Sequence, residues 1–456
     1  MPSRTGSTRP GSWLRAVSWE GSDVSQPAFD AHRPPSAQRL ADCVHCGFCL
    51  PTCPTYVLWG QEMDSPRGRI YLMGAGLEGA PLTQTMVGHF DACLGCMACV
   101  TACPSGVRYD ELIEATRAQV ERRHERSRGQ RLLREAIFAT FPYPKRLRAL
   151  RGPLRAYQAS GLGRRIRRSG VLARLAPSLA AMEAAAPTLA RAERVPEITA
   201  PVGPRRGVVA MVLGCVQREF FPGVNAATAR VLAAEGYEVL APRGQGCCGA
   251  LSVHSGREEE ALNFARQLID ALEPAAADHI VINAAGCGST LKEYGVLLAD
   301  DPAYAERAAA FAAKVVDIAE ILTLIEPVAT RHPLPLSVAY HDACHLAHAQ
   351  GVRSQPRDLL RAIPGLELRE IAEAELCCGS AGTYSILNPE PARELGDRKA
   401  GHVATTGAQL LVTANPGCMM QVAAALERAG TPIATAHTIQ VLDASIRGLP
   451  VSALLS

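Results

Sequence analysis

Residues 43–54 read Cys-Val-His-Cys-Gly-Phe-Cys-Leu-Pro-Thr-Cys-Pro, and residues 93–104 read Cys-Leu-Gly-Cys-Met-Ala-Cys-Val-Thr-Ala-Cys-Pro. Both runs have the spacing Cys-x2-Cys-x2-Cys-x3-Cys-Pro. Thiolates three residues apart can wrap one face of an iron–sulfur cube, while a distant cysteine closes the fourth corner. Zinc is the alternative, but zinc motifs rarely have three evenly spaced cysteines, a fourth cysteine and a proline, all duplicated. The two runs therefore predict two [4Fe–4S] clusters.

The spacing resembles that of bacterial two-cluster ferredoxins, in which the fourth cysteine of each run binds the other cluster. This resemblance implies an α+β ferredoxin-like domain over residues 38–115. Two adjacent clusters are typical of a one-electron relay rather than of substrate chemistry. The crossed pattern assigns the first cluster to Cys43, Cys46, Cys49 and Cys103, and the second to Cys93, Cys96, Cys99 and Cys53.

The composition is typical of a metal-binding protein in a reducing compartment. Sixteen cysteines among 456 residues are too few for a small disulfide scaffold and more than an ordinary cytosolic enzyme has. No apolar run approaches the roughly 20 residues of a membrane span, and residues 1–40 lack the apolar core of a signal peptide. We therefore expect a cytoplasmic protein, at most peripherally associated with the cytoplasmic face of the inner membrane.

Two segments flank the predicted cluster domain. Residues 1–37 are rich in Pro, Ser, Gly and Arg without periodicity, and predict a disordered tail. Residues 116–200 have apolar positions at helical spacing and predict a basic helical linker. Within it, residues 121–168 contain fifteen Lys or Arg and three Glu. Neither a helix-turn-helix pattern nor interleaved aromatic residues accompany this charge, so we expect no nucleic-acid partner.

An internal repeat occupies the rest of the chain, as residues 201–328 and 329–456. Equivalent cysteines of the two copies are 129 to 131 residues apart, a match that chance does not explain. The first copy contains Cys215, Cys247-Cys248-Gly249 and Cys287, and the second contains Cys344, Cys377-Cys378-Gly379 and Cys418.

Strands and helices alternate around these cysteines, which predicts a duplicated α/β fold with parallel sheets. Loops at the carboxyl ends of parallel strands converge on one crevice, so the four cysteines of each copy should gather there. Predicted strands cover residues 207–213, 237–240 and 279–283 in the first copy, and 336–340 and 409–413 in the second.

The repeat resembles the cysteine-rich "CCG" domain pair of heterodisulfide reductase subunits and of iron–sulfur subunits of membrane-associated dehydrogenases. The full array of that family ends in Cys-x-x-Cys, but this chain has Thr290 and Gln421 at the last positions. The departure argues against five-thiolate clusters. The eight cysteines of the repeat are possible further cluster ligands, and each copy holds one more [4Fe–4S] cluster or none.

Over residues 38–456 the order of segments resembles the iron–sulfur subunit family of bacterial glycolate oxidase (glycolate dehydrogenase). The stretches that carry this resemblance include Asp64-Ser-Pro-Arg67-Gly-Arg69-Ile-Tyr71, His341-Asp-Ala-Cys344-His-Leu-Ala-His348 and Cys377-Cys-Gly-Ser-Ala-Gly-Thr383-Tyr384.

The resemblance implies the electron-transfer subunit of a flavin-linked 2-hydroxy-acid dehydrogenase. Glycolate would be oxidised to glyoxylate on an FAD-binding partner, and electrons would leave through this chain to a quinone or another acceptor. No G-x-G-x-x-G fingerprint opens a βα unit, so the flavin is expected on another subunit and no catalytic residue on this chain. Lactate-utilisation and anaerobic glycerol-3-phosphate dehydrogenase subunits share the layout. A heterodisulfide-reductase-like enzyme and a structural zinc module are further alternatives.

Two groups of residues beside the cysteines have open roles. His341, Asp342, His345 and His348 surround Cys344. In one interpretation, His341 and His345 tune a cluster, move a proton or supply a ligand. In the other, Asp342 caps a helix and the histidines only pack in the core. Arg67 and Arg69 follow a helix start at Asp64-Ser65-Pro66 and either offset the charge of a cluster or are solvated or ion-paired.

Overall fold

A helical N-terminal part leads into two parallel-sheet units in the computed structural model, which describes residues 27–189 and 193–455. The predicted disordered tail falls largely on residues 1–26, outside the described residues. Its boundary at residue 37 is too late, because Ala28 is fully buried and the Phe29 ring packs against Gly76. Residues 28 and 29 therefore belong to the core of the N-terminal domain.

The cysteine runs are carried by short helices joined by tight turns. Described residues 37–123 contain no strand, so the β component of the predicted α+β domain is not found there. At each run the chain enters the left-handed region twice, at His45 and Gly47 and again at Gly95 and Met97. An extended strand cannot propagate through such reversals. The helices are α1 (Ala37–Ala41), α2 (Pro54–Trp59), α3 (Pro66–Leu77), α4 (Gln84–Ala92), α5 (Ala98–Thr101) and α6 (Tyr109–Arg123).

Most of the described linker is helical, with turns and short irregular segments between its helices. Two of its arginines are paired with acidic groups of neighbouring parts: Arg126 with Asp91 at 2.7 Å, and Arg148 with Glu219 at 2.8 Å. The basic stretch thus contributes to the contact between domains. Its helices are α7 (Arg128–Phe138), α8 (Pro144–Ala159), α9 (Leu162–Ser169), α10 (Val171–Leu175) and α11 (Pro177–Ala185).

The first repeat copy forms a five-stranded sheet in the order β1-β3-β2-β4-β5, parallel except for β1. Because β1 pairs with β3, the unit begins a few residues before the predicted boundary at residue 201. Its strands are β1 (Ile198–Thr199), β2 (Gly207–Met211), β3 (Tyr237–Leu240), β4 (His279–Ile282) and β5 (Val315–Asp317). Its helices are α12 (Val216–Phe220), α13 (Pro222–Ala234), α14 (Ala250–Val253), α15 (Glu258–Leu272), α16 (Ala285–Lys292), α17 (Tyr294–Leu297), α18 (Ala305–Lys314) and α19 (Ile318–Thr323).

The second copy repeats this arrangement as a four-stranded parallel sheet in the order β7-β6-β8-β9. A π-helical turn, His345–Ala349, follows its first strand. Its strands are β6 (Ser337–His341), β7 (Glu367–Glu370), β8 (Leu410–Thr413) and β9 (Ala434–His437), and its helices are α20 (Gln355–Arg361), α21 (Tyr384–Leu387), α22 (Pro389–Thr405), α23 (Pro416–Arg428) and α24 (Thr438–Ile446).

The strand order determines where the cysteines meet. In the first copy β2 lies between β3 and β4, and in the second copy β6 lies between β7 and β8, which creates a topological switch point in each sheet. Cys215 follows β2 and Cys287 follows β4, so both lie at the switch point. The two copies share one continuous apolar core, to which strands of both contribute. No helix in the described ranges combines the length and apolarity that a bilayer crossing needs.

Candidate iron–sulfur centres

Four cysteines line one small cavity of the N-terminal domain: Cys53 with Cys93, Cys96 and Cys99. All four are at most 8% exposed. The cavity contains the three clustered cysteines of one run and the last cysteine of the other, which is the set that the crossed pattern predicts. The donor set therefore fits a cubane cluster that is closed from solvent.

A buried arginine supplies positive charge to this cavity. Arg69 is fully buried, and its guanidinium group lies 3.9 Å from the Cys53 sulfur and donates to the carbonyl of His89 at 2.6 Å. Burial alone would raise the pKa of Cys93, but Arg69 and Arg117 outweigh it and lower that pKa. Of the two roles open for Arg69, the structure favours the offset of thiolate charge.

Two hydrogen bonds orient the Cys93 sulfur. The backbone N–H of Gly95 donates to it at 3.4 Å, and the Tyr109 hydroxyl donates at 3.6 Å.

Arg67 has a different environment from Arg69, because it pairs with Glu62 at 2.6 Å at the surface. The predicted helix start is confirmed, since Ser65 caps α3 and Pro66 opens it.

The first cysteine set is closer to solvent. Cys46 is exposed, whereas Cys43, Cys49 and Cys103 are partly buried. Burial raises the pKa of Cys43, and the neighbouring Cys103 and Cys46 thiols raise it further, so the last cysteine of the second run lies beside the first run. Burial also raises the pKa of Cys49 to about 11. This set again brings together the predicted residues, at a more accessible position.

The four cysteines of the first copy gather at the switch point. The sulfur atoms of Cys215 and Cys247 lie 3.6 Å apart, and Cys248 and Cys287 perturb each other's pKa at close range. Gly249 follows the pair with φ +81°, and a Cβ there would lie 3.1 Å from the carbonyl oxygen of Ala261. Glycine is thus required at position 249 so that the chain after the Cys247-Cys248 pair can pass close to α15.

The second copy gathers its cysteines in the same way. The Cys344 and Cys377 sulfurs are 3.9 Å apart, and the Asn415 amide donates to the Cys418 sulfur at 3.6 Å. Ligand atoms of His341, Cys378 and Cys418 all lie within 4.8 Å of one another. All sixteen cysteines of the chain are free of disulfide bonds. Both arrays are therefore preformed donor sets for a metal centre, and the assignment of ligands to metal remains a prediction.

The remaining polar residues around Cys344 divide into two groups. His345 is within reach of the cysteine, with Nδ1 3.7 Å from the sulfur. Asp342 does not cap the helical turn that follows, whose N-cap is Cys344 without a side-chain cap; Arg357 pairs with the Asp342 carboxylate at 2.6 Å instead. His348 bonds through both ring nitrogens to groups other than the cysteines.

The second centre of the N-terminal domain packs against the second repeat copy. Cys96, Cys344, Cys377 and Tyr384 belong to one buried apolar cluster. Tyr384 is 6% exposed, and burial raises the pKa of its hydroxyl well above the usual range, with Cys93 and Cys377 both contributing. The Tyr384 ring therefore lies near cysteines of both sites.

A group of titratable side chains lies at the junction of the N-terminal domain with both copies. Burial raises the pKa of Glu114 to about 7 and that of Glu293 to about 8. The His254 and His345 rings lie 4.9 Å apart, and burial lowers the pKa of His254 to about 3. Sequence reasoning missed this group because its members come from separate elements and no spacing rule links them.

Crossed cysteine sets in the N-terminal domain, packed against a duplicated parallel-sheet unit with its own cysteines, define a multi-centre iron–sulfur protein. The 4Fe-4S dicluster domain matches residues 39–107, and the cysteine-rich domain matches residues 209–292 and 338–423. The linker region of the glycolate oxidase iron-sulfur subunit matches residues 129–186.

Similar proteins extend this match over most of the chain. A probable glycolate oxidase iron-sulfur subunit of Bacillus subtilis is 39% identical over 400 residues, which is 86% of this chain and 90% of that protein. The glycolate oxidase iron-sulfur subunit of Escherichia coli is 39% identical over 391 residues, 85% of this chain and 90% of its own. Lactate utilization protein A of Shouchella clausii is 34% identical over 52% of this chain and 98% of its own. The chain belongs to the glycolate oxidase iron–sulfur subunit family.

Proposed function

We propose that this chain is the electron-transfer subunit of a glycolate-oxidising complex, in which an FAD-binding partner carries out the substrate chemistry. Its family membership supports glycolate as the substrate, and the absence of a dinucleotide fingerprint from the sequence supports a flavin on another subunit. The chain's own residues would hold one-electron carriers and keep them apart from water. The final acceptor would be a quinone or another oxidant, reached from a cytoplasmic position that is at most peripheral to the membrane.

The observation that carries this proposal is the shared apolar cluster of Cys96 and Cys344. Protein contact without intervening solvent favours electron exchange between two centres, because little solvent must reorganise when charge moves. The first cysteine set, with exposed Cys46, is the part of the relay closest to the surface. We therefore propose a linear order: first set, second set, then the cysteines of the second copy.

Residues of the chain set the electrostatics of this relay. Arg69 offsets thiolate charge at the second set, and the Gly95 and Tyr109 donors stabilise the Cys93 sulfur. A [4Fe–4S] cluster, when bound, supplies the one-electron redox step; its potential depends on such hydrogen bonds and on burial.

The first experiment counts iron and acid-labile sulfide in the anaerobically purified full-length chain. About eight irons correspond to two [4Fe–4S] clusters, and about twelve to sixteen correspond to additional centres in the repeat. Zinc in place of iron and sulfide would contradict the relay. Turnover of glycolate by the isolated chain would also contradict it.

The second experiment separates the two half-reactions of the assembled complex. Cys96→Ala should leave reduction of the partner flavin by glycolate intact and abolish electron delivery to an external acceptor. Val44→Ala is the matched control, because Val44 lies between cysteines of the first run and is 67% exposed. Wild-type electron delivery by the Cys96 variant would show that electrons bypass this chain. Parallel assays with lactate test the substrate suggested by the lactate utilization relative.

A further inference from the structure

The second repeat copy differs from the first at a position next to its cysteines. His341 ends β6, three residues before Cys344, and Val212 occupies the equivalent position before Cys215. Both side chains are buried, with 1% exposure each. A valine completes an apolar wall, whereas a buried imidazole needs partners for its polar nitrogens.

Both ring nitrogens of His341 lack a hydrogen-bond partner among the described residues. The buried His437 of the same copy is satisfied, since its ring nitrogens contact the Asn283 carbonyl at 2.8 Å and the Ile439 N–H at 3.1 Å. An unpartnered buried imidazole costs free energy unless something binds it. The group that binds His341 must lie where its ring points.

The ring points toward thiol ligands. A nitrogen of His341 and the sulfurs of Cys378 and Cys418 lie within 4.8 Å of one another. Backbone pairing holds this geometry, since His341 pairs with Thr413 at the end of β8, just before the helix that carries Cys418. Neutral imidazole and thiolate are both good ligands for iron and zinc.

Other differences between the copies are consistent with a changed centre. Asn415 donates to the Cys418 sulfur, whereas the equivalent residue of the first copy is Ala284. Lys399 is 1% exposed in α22; burial lowers the pKa of its ammonium group, while the nearby Cys378 and Cys377 thiols oppose that shift. The equivalent residue of the first copy is the apolar Leu268, which is buried in the same apolar cluster as Cys247 and Cys248. The second copy thus surrounds its cysteines with polar and cationic groups.

We propose that His341 is a metal ligand, so that the second copy holds its centre with imidazole as well as thiolate, whereas the first copy uses thiolates alone. This inference rests on the proposed function, because it assumes an iron–sulfur centre in the second copy. With the neutral His341 imidazole bound in place of one of its four thiolates, the centre carries less negative charge and has a higher reduction potential. The second copy would therefore hold its electron more tightly than the first, as the end of the internal relay.

The test uses the full-length chain, purified anaerobically after growth with 15N-histidine. Pulsed electron paramagnetic resonance of the reduced protein should show a strong nitrogen coupling that changes with the isotope, as expected of a directly bound ring nitrogen. The coupling should vanish in His341→Val, which copies the first repeat, and in His341→Gln, which keeps an N–H donor but loses the imidazole. His402→Gln, a surface change in the same copy, is the matched control and should retain it.

A redox titration of the same proteins provides the second readout. One centre should shift to lower potential, or be lost, in both His341 variants, while signals from the N-terminal centres stay unchanged and report correct folding. The proposal is overturned if wild-type protein lacks the nitrogen coupling, or if His341→Gln titrates like wild type, which would indicate a hydrogen bond only. Eight irons with intact N-terminal signals would also overturn it, because the repeat would then be empty, but the relay through the N-terminal domain would stand.

Discussion

The Thr101 hydroxyl and Nδ1 of His348 lie 2.8 Å apart and join the helix that carries Cys99 to the turn that follows Cys344. Arg353 also donates to this Nδ1, at 3.1 Å, and arginine has no acceptor. Nδ1 of His348 is therefore an acceptor, the Thr101 O–H donates to it at a shorter distance than the 3.2 Å to the Ala98 carbonyl, and Nε2–H donates to the carbonyl of Glu375 at 3.2 Å. This bond fixes the position of the second cysteine set against the second repeat copy.

Thr101→Val should loosen this contact without unfolding either domain. A lost hydrogen bond of this kind costs about 0.5–1.5 kcal/mol. Hydrogen exchange should accelerate in residues 98–101 and 345–349 and stay unchanged in the sheets. Thr52→Val is the control, because the Thr52 hydroxyl bonds only locally, to the Cys49 carbonyl at 3.1 Å. Equal exchange in wild type and the Thr101 variant would show that the bond does not fix the domains.

Gly379→Ala should damage the cysteine pair of the second copy. Gly379 has φ +86°, and a Cβ there would lie 2.6 Å from the carbonyl oxygen of Ala392. The left-handed conformation alone costs an alanine about 1–3 kcal/mol. We expect a lower urea midpoint and less iron in the anaerobic protein.

The control for this change is Gly401→Ala on the same helix, α22. No atom lies within 4 Å of a Cβ built at Gly401. Alanine in a helix interior is about 0.5–1 kcal/mol more stable than glycine, so the urea midpoint should rise slightly. Equal effects of the two substitutions would contradict the close approach at Gly379.

Arg69→Met should lower the free energy of unfolding far more than Arg67→Met does. Removal of one partner from a buried charged network costs about 3–5 kcal/mol, and the Arg69 side chain is fully buried beside Asp64. The half-exposed pair of Arg67 and Glu62 contributes at most about 1 kcal/mol to the free energy of unfolding. Urea unfolding should separate the two variants, and only Arg69→Met should lose iron from the second cysteine set. Equal midpoints would show that Arg69 is not essential to that set.

Asp317 should make the protein less stable as pH rises toward neutrality. Burial raises its pKa from 3.8 to about 7, and Oδ2 has no hydrogen-bond partner among the described residues. Between these pH values the folded state keeps a proton that the unfolded state has lost. The free energy of unfolding therefore falls as pH increases through this window.

Asp317→Asn should flatten this dependence while its side chain still accepts from the Ala319 N–H and caps α19. Between pH 5.5 and 7 the free energy of unfolding of the wild type should fall by about 2 kcal/mol relative to that of the variant, as measured by urea unfolding. Glu367→Gln is the control, because Arg369 lowers the pKa of exposed Glu367 and its titration falls below this window. An unchanged slope in Asp317→Asn would exclude Asp317 as the cause.

Local spacing was enough to predict much of this protein. The cysteine runs at residues 43–54 and 93–104 indicated the crossed sets, and the equal offsets between copies indicated a duplicated parallel sheet. Strand β3 has the predicted bounds, Tyr237–Leu240. These features depend on periodicity and on short-range turns, which a sequence records directly.

Only the tertiary structure decided which residues surround the cysteines. Arg69 and Arg67 are two residues apart in the sequence, yet one is buried beside Cys53 and the other pairs at the surface. The environment of His341 and the contact of Cys96 with Cys344 arise from elements that are far apart along the chain. Burial and electrostatic fields depend on that packing, so the cysteines could be grouped from sequence while their charges, partners and order in a relay required the fold.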